Sequence, residues 1–455
     1  MISITTLLHS NSRFIPALRG LCEPAPDGVF LVGGCIRDAL LGQPVSDVDL
    51  VVTGDALLAA RAFARAVRGA FVLLDPDEGV GRVVVRRTLT FDFAPMKGAT
   101  IEEDLAQRDF TINAVACRLI DVLDGTMTLI DPFHGMRDLQ RQRLMAVSEQ
   151  AFVQDPLRVL RAFRFAAQLR LDIDPTTNQW LRQHAALLPT VSVERIRDEL
   201  ALLLMEPHTT SWVERMYTAG VLQAALPELV ETRTSTRPSF HLFQQIDAFL
   251  AAPDRIPVEA LREALPQYLD RPITDDRRRS WLVRLAALLI GDDPDQSRTD
   301  AWTERIATER LRLSTHERQG LVRLVRLPAT VLCLRHQTAG RDEALYAITR
   351  EAGEETIGVA LLAFAQSRIM DIDQAFCRSL LDRLLRLDAR RRMLRASPRL
   401  VTGDDLMATF HLSPGPRVGT LLSRLEEREA LGHIQSREDA FAAVREWLTG
   451  MEREA

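Results

Sequence analysis

Lysine is all but missing from this sequence: Lys97 is the single one, so nearly all of the 57 basic residues are arginine. Arginine's planar fork of donors suits phosphates and base edges, but a GC-rich genome produces the same bias, so the excess alone names no partner. The formal net charge of −5 excludes a uniformly basic surface. Any nucleic acid would have to be held by local arginine patches. Cysteine is sparse too. Cys22, Cys35, Cys117, Cys333 and Cys377 show no CxxC spacing, which excludes a disulfide scaffold and predicts buried small hydrophobes in a reducing compartment. No apolar run reaches the length of a membrane span, and the start, "MISITTLLHSNSRF", lacks the basic region and apolar core of a secretion signal. The expected location is the cytoplasm. Internal repeats and low-complexity tails are absent as well.

What is present is an ordinary globular composition, 46% hydrophobic and 26% charged over 455 residues, enough for roughly two to four domains. Up to about residue 145, β-type runs ("GVFLV", "VDLVVT", "AFVLLD", "RVVVRR", "LTFDFAP", "MTLID", "RLMAV") mix with helical stretches such as "DALLAARAFARAVRG", closed by its glycine. This predicts an α/β or α+β domain. From Ser148 onward amphipathic helices follow one another, "EQAFVQDPLRVLRAFRFAAQL" and "RSWLVRLAALLIG" among them. The remainder is predicted all-α, with loops at 229–239, 252–275 and 291–300 from their proline and charge content.

In "SDVDLVV" the alternation of a strand puts Asp47 and Asp49 on one face and Val48 and Leu50 on the other. Two carboxylates so placed suit a divalent cation, because Mg²⁺ takes oxygen ligands from one or two carboxylates and from substrate phosphates. A DxD alone also fits a turn followed by a solvent-facing aspartate. Upstream, "LVGGCIRDALLG" reads as strand, double glycine and helix, so that Gly33 and Gly34 would let a phosphate approach backbone N–H groups. Arg37, four residues into that helix, could add a phosphate contact. Asp92 in "LTFDFAPMKG", with Phe91 and Phe93 pointing away from it, is a candidate third carboxylate for a two-metal nucleotidyl transfer.

Five ordered segments resemble the motifs of the class II tRNA nucleotidyltransferase and bacterial poly(A) polymerase family: "LVGGCIRDALLGQPVSDVDLVVTGD", "EEDLAQRDFTINAVA", "DPFHGMRDLQRQRL", "QDPLRVLRAFRFAAQL" and "VSVERIRDELALLL". The tail from Leu400 to Leu448 is similar to the C-terminal RNA-binding segment of the bacterial members. The resemblance implies a nucleotidyltransferase-fold α/β head with a mixed sheet (1–145), then an all-α neck carrying the nucleotide-selecting motif (146–210), a body (211–380) and a tRNA-binding tail (381–455). It implies Mg²⁺ on Asp47 and Asp49, Gly34 and Arg37 at the triphosphate, and Arg108 of "QRDFTINA" at the nucleotide, with Asp109 and Asn113 beside it. Asp109 or Thr111 could also cap a helix start there. The implied partners are tRNA, CTP and ATP, with no membrane and no protein partner indicated.

In the family, the helix of "QDPLRVLRAFRF" replaces a nucleic-acid template, and its residue types suit that task. Asp155 accepts hydrogen bonds and Arg158 donates them. Cytosine and adenine offer an amino donor beside a ring-nitrogen acceptor, whereas guanine and uracil present a carbonyl beside an N–H. The pair therefore fits C and A, and a buried mismatch discriminates by about 10⁴-fold. Residues three apart are helix neighbours; Arg161 and Arg164 drift away at roughly 60° per step and are assigned phosphate, RNA or bracing roles. The alternative is that Asp155 caps a helix beginning at Pro156.

Three departures bear on function. Gln154 stands where the family usually has a glutamate, which removes a charge that would brace Arg158. Between Asp92 and Asp104 there are only eleven residues, a shortening that resembles enzymes adding CC without the final A. The middle of the chain resembles a degenerate metal-phosphohydrolase region, with His241 and "RLAALLIGDD" but no His-Asp pair, so no metal and no phosphatase activity are expected there. Tail contacts to RNA are expected from Arg390, Arg391 and Arg392 in "RLDARRRMLR", for which a solvated helix face is the competing reading, and from Arg417 in "SPGPRVG", which opens a helix. The runner-up within the fold is a poly(A) polymerase. From other classes, a DxD glycosyltransferase needs no "RDFTINA", and a non-catalytic RNA-binding protein needs no aspartate pair.

Overall fold

The computed structural model describes residues 13–23, 28–85, 89–231, 240–274, 276–291, 300–337 and 339–454. The chain divides into two units, Met1–Ile196 with Arg215–Ala225, and Arg197–Glu214 with Leu226–Ala455.

The first unit is built on a seven-stranded mixed sheet. Its strands are β1 (Val29–Val32), β2 (Asp47–Val52), β3 (Ala70–Asp75), β4 (Val80–Val85), β5 (Leu89–Pro95), β6 (Ala116–Arg118) and β7 (Leu129–Ile130), in the order β3-β4-β5-β2-β1-β6-β7. Only β2 and β5 run parallel; the other neighbours are antiparallel. Alternation sends Val48, Leu50, Phe91 and Phe93, each at most 1% exposed, into a core with Phe14 and Phe63. Burying each such side chain contributes about 2 kcal/mol. The same alternation leaves Asp47, Asp49 and Asp92 on the opposite face, as the sequence pattern predicts.

Two local expectations change. The helix Ala56–Val67 is capped by Asp55, whose carboxylate accepts from the Leu58 N–H, but it closes on a left-handed Arg68 (φ 58°) and not on Gly69. Gly69 instead packs against β4, where a Cβ would fall 2.8 Å from Val83 Cγ1. The helix expected across 149–169 is two helices, Gln150–Gln154 and Arg158–Leu169, separated by an extended Asp155 (φ −140°, ψ 96°). Pro156 is the cause, because a proline forces its predecessor out of the helical region.

The second unit is helical. The stretch 252–275, expected as loop, holds the helix Glu259–Asp270 with Pro266 inside it. Leu261, Leu265 and Tyr268, buried at helical spacing, outweigh the backbone bond lost at the proline. Of the other expected loops, 232–239 and 292–299 lie outside the described residues. The helix Arg279–Ile290 is buried along almost its whole length and ends at Gly291 (φ 63°); Asp292 and Asp293 of the degenerate phosphohydrolase segment lie outside the described residues. His241 opens the helix His241–Ala251. Buried arginines are paired, Arg284 with Asp247 at 2.9 Å and Arg279 with Glu355 at 3.1 Å. At the C-terminal end, the helices Gly403–Phe410, Pro416–Leu431 and Arg437–Glu454 enclose Leu406, Leu421 and Val444. Four cysteines are buried as expected; Cys333, the last residue of its helix, is exposed. Among the described residues, no helix is long and apolar enough to cross a membrane.

Candidate active site

The parallel register of β2 and β5 sets Asp47 beside Thr90 and Asp49 beside Asp92. Asp47 is exposed and accepts hydrogen bonds from the Thr90 hydroxyl at 2.5 Å and the Ser46 hydroxyl at 2.9 Å. Asp49 is half-buried. Burial, then the charges of Asp92 and Asp47, push its carboxyl up to about 6, against the pull of Arg108 and Arg82. Asp92 is gripped by Arg82 at 2.7 Å through each of its two oxygens.

Above this face the chain turns at Gly33, with φ 74° and ψ −134°, a conformation only glycine adopts readily. A Cβ there would lie 2.9 Å from Arg108 Nη1 and 3.6 Å from Asp49 Oδ2. Gly33 is therefore where the double-glycine turn, the aspartate pair and Arg108 converge. The helix Gly34–Leu40 follows. Arg37 in it is buried, at 6% exposure, and donates to Asn113 Oδ1 at 2.6 Å and to Asp38 at 2.8 Å. Its guanidinium is thus held by Asn113 and Asp38. Arg108 donates to Asp104 Oδ2 at 3.1 Å and 3.2 Å, while Asp104 Oδ1 accepts the Lys97 N–H at 3.0 Å.

The "RDFTINA" segment makes a single 3₁₀ turn, Thr111–Asn113, without a side-chain cap. The Thr111 hydroxyl donates instead to Asp138 at 2.8 Å. Asp109 is buried and accepts from Asn113 Nδ2 at 3.0 Å and from Arg161 at 2.9 and 3.0 Å. Burial alone would raise this carboxyl; Arg161, Asn113 and Arg158 more than offset it and hold it below the usual range. Arg37, Arg161 and Arg164 also stand 5.1, 5.1 and 4.1 Å from the centroid of the Phe165 ring, which packs edge-on against Phe110.

The two proposed base readers are not helix neighbours, because Asp155 precedes the helix that Arg158 begins. Asp155 Oδ1 accepts from the Leu157 N–H at 3.2 Å, in the turn before the helix, and Oδ2 pairs with Arg195 at 2.8 Å. Arg158 donates to the Ala151 carbonyl at 3.3 Å, and burial pulls its guanidinium below the ordinary value. Gln154 is exposed. Sequence reasoning assigned nothing to Arg82, Thr90, Phe165 or Arg195. Strand register or chain folding brings each to the site. The only local signal was an arginine inside the apolar run "RVVVRR".

In the tail, the arginine run is not an open RNA face. Arg391 is buried and pairs with Asp388 at 2.7 Å, and Arg392 pairs with the same carboxylate at 2.5 Å, since helical periodicity turns position 391 inward. Arg390 is half-buried, and Arg417 is exposed at the start of the helix Pro416–Leu431.

This arrangement has counterparts. The family profile described as "Poly A polymerase head domain" matches residues 29–99 and 84–145. A second, "Probable RNA and SrmB- binding site of polymerase A", matches 170–232. A CC-adding tRNA nucleotidyltransferase of Geobacter sulfurreducens is 34% identical over 444 residues, covering 95% of each chain. The chain belongs to the tRNA nucleotidyltransferase and poly(A) polymerase family. Another member, an A-adding tRNA nucleotidyltransferase of Deinococcus radiodurans, is also 34% identical, over 93% of this chain and 96% of its own. In fold, the chain is similar to a Thermotoga maritima CCA-adding enzyme complexed with tRNA, with a TM-score of 0.68, 22% identity and 98% coverage of both chains.

The family implies an enzyme that uses a divalent metal. The donor set here fits one: two carboxylates on one strand face, one of them raised by burial and then by its acidic neighbours, form a site whose repulsion a cation relieves. Among the described residues no three His, Cys, Asp or Glu side chains converge as a ready-made cage.

Proposed function

We propose that this enzyme adds cytidine from CTP to the 3′ end of tRNA, releasing pyrophosphate, and stops before the terminal adenosine. The bridge between Asp92 and Asp104 carries this reading. It is short and pinned: Lys97 N–H to Asp104, Ala99 N–H to Glu103 Oε2 at 2.6 Å, and Gln107 to the Lys97 carbonyl at 3.3 Å. A segment tied in this way lacks the length associated in the family with the switch to A.

In this reading Asp47 and Asp49 hold Mg²⁺, which when bound would activate the tRNA 3′-hydroxyl and neutralise the triphosphate. The turn at Gly33 and Gly34 and the Arg108 side chain receive the triphosphate end of the nucleotide. Asp155 and Arg158 read the base edge, Asp155 accepting the cytosine amino group and Arg158 donating to the ring nitrogen. Arg195 and the Leu157 N–H brace Asp155. Asp109, Asn113 and Arg161 hold the reading helix against the turn, and Arg417 contributes to tRNA binding by the tail. The division into head, neck, body and tail belongs to this reading, as does a cytoplasmic setting with tRNA at hand.

The test is incubation with tRNA ending at the discriminator base, CTP and ATP, followed by product sizing. Two added cytidines are expected. Extension by all three nucleotides would sink the CC-only assignment, and tRNA extended from ATP alone would favour the poly(A) polymerase reading. Asp47→Ala with Asp49→Ala should abolish incorporation while leaving tRNA binding intact; unchanged turnover would overturn the metal assignment.

A further inference from the structure

Arg82 sits in the same cross-strand row as two of the three candidate carboxylates. The register pairs Arg82 of β4 with Asp92 of β5, and Asp92 with Asp49 of β2. The guanidinium meets Asp92 as a two-pronged fork, Nε to Oδ1 and Nη2 to Oδ2, both at 2.7 Å. One lone pair on each oxygen is thereby taken, and a metal ion approaching those that remain would lie beside a positive charge. Asp47, in contrast, accepts from the neutral hydroxyls of Ser46 and Thr90. The Arg82 side chain is 37% exposed and that of Asp92 21%, so the fork can open without unpacking the core beneath Phe91 and Phe93.

We propose that Arg82 is a resident cation that reserves Asp92. The nucleotide-free enzyme takes one divalent ion, on Asp47 and Asp49. Asp92 joins a second ion only when an incoming nucleoside triphosphate draws the guanidinium to its own negative charge. Arg82 is then a positioning residue that makes loading ordered, nucleotide before second metal. This inference rests on the nucleotidyl-transfer reading of the site.

Mn²⁺ titration followed by electron paramagnetic resonance tests it. Wild type should bind one ion without nucleotide and a second with a non-hydrolysable CTP analogue. Arg82→Met should take the second ion without nucleotide, about tenfold more tightly than wild type. Arg82→Lys keeps the charge and loses the fork, so it should fall between, and it carries the comparison if Arg82→Met does not fold. Asp92→Asn should lose the second ion. Two ions on nucleotide-free wild type, or second-site affinity unmoved by the Arg82 variants, would overturn the proposal. CTP incorporation by wild type is measured alongside. Its absence defeats the reading of the site, whereas normal incorporation with Mn²⁺ binding unmoved defeats only the role of Arg82.

Discussion

The two adjacent glycines of the turn make opposite demands, and alanine at each separates them. Gly33 has φ 74°, and an alanine there costs about 1–3 kcal/mol in backbone strain. Its Cβ would also meet Arg108 Nη1 at 2.9 Å. That guanidinium is the far end of a flexible side chain, so it gives way and its contact with Asp104 is disturbed. Gly34 is the first residue of its helix, and its Cβ would find Arg37 Nη2 at 3.5 Å, ordinary van der Waals contact. Alanine there should leave stability unchanged or raise it by about 0.5–1 kcal/mol. Urea denaturation measures both, and steady-state kinetics with CTP on the same samples measures function. Gly33→Ala should lose stability by the stated amount and raise KM for CTP at least about tenfold, through Arg108. Gly34→Ala should keep its stability yet weaken CTP binding, because in the proposed reading its methyl would stand where a phosphate approaches the backbone. Stability of Gly33→Ala within 0.5 kcal/mol of wild type would refute the strain argument. An unaltered KM in Gly34→Ala would remove Gly34 from the triphosphate site.

Two further outcomes follow from the electrostatics. The Asp49 carboxyl is raised to about 6 from the ordinary 3.8, so the fold favours its protonated form: that contribution is present below about pH 4 and lost as pH rises through 6. Metal-free wild type should therefore lose on the order of 1–2 kcal/mol between pH 5 and 7 relative to Asp49→Asn, after allowance for the partial exposure of Asp49. Melting curves with and without Mg²⁺ check this, with the ion restoring more at pH 7 than at pH 5; parallel pH profiles for the two proteins would refute it. Asp109→Ala leaves Arg161 and Asn113 without their shared acceptor. It should cost about 2–3 kcal/mol by urea denaturation, below the full value for a buried pair because the Arg161 side chain is 29% exposed. A loss under about 0.5 kcal/mol would show that the network is dispensable.

Much of the site was legible because strand periodicity is local. Asp47, Asp49 and Asp92 fall on one sheet face, opposite Phe91 and Phe93, by alternation alone, and the glycine turn follows from the strand–glycine–helix pattern. Partners were not legible. Arg82 meets Asp92 through an antiparallel register, and Arg195 meets Asp155 across forty residues of chain. The helix Glu259–Asp270 was hidden by its proline, because burial of one face is a tertiary term that propensity does not contain. Arg391 read as an open basic residue until the packing of its helix buried it against Asp388.

By itself, then, the sequence determined the family and the strand face shared by Asp47, Asp49 and Asp92, since residue type, spacing and the period of a strand or helix are properties of the chain. Only the tertiary structure decided how those charges are spent: Arg37 on Asn113, Arg161 on Asp109, Arg195 on Asp155 and Arg82 on Asp92. A charge acts through its neighbours within a few ångströms, and those neighbours are chosen by folding.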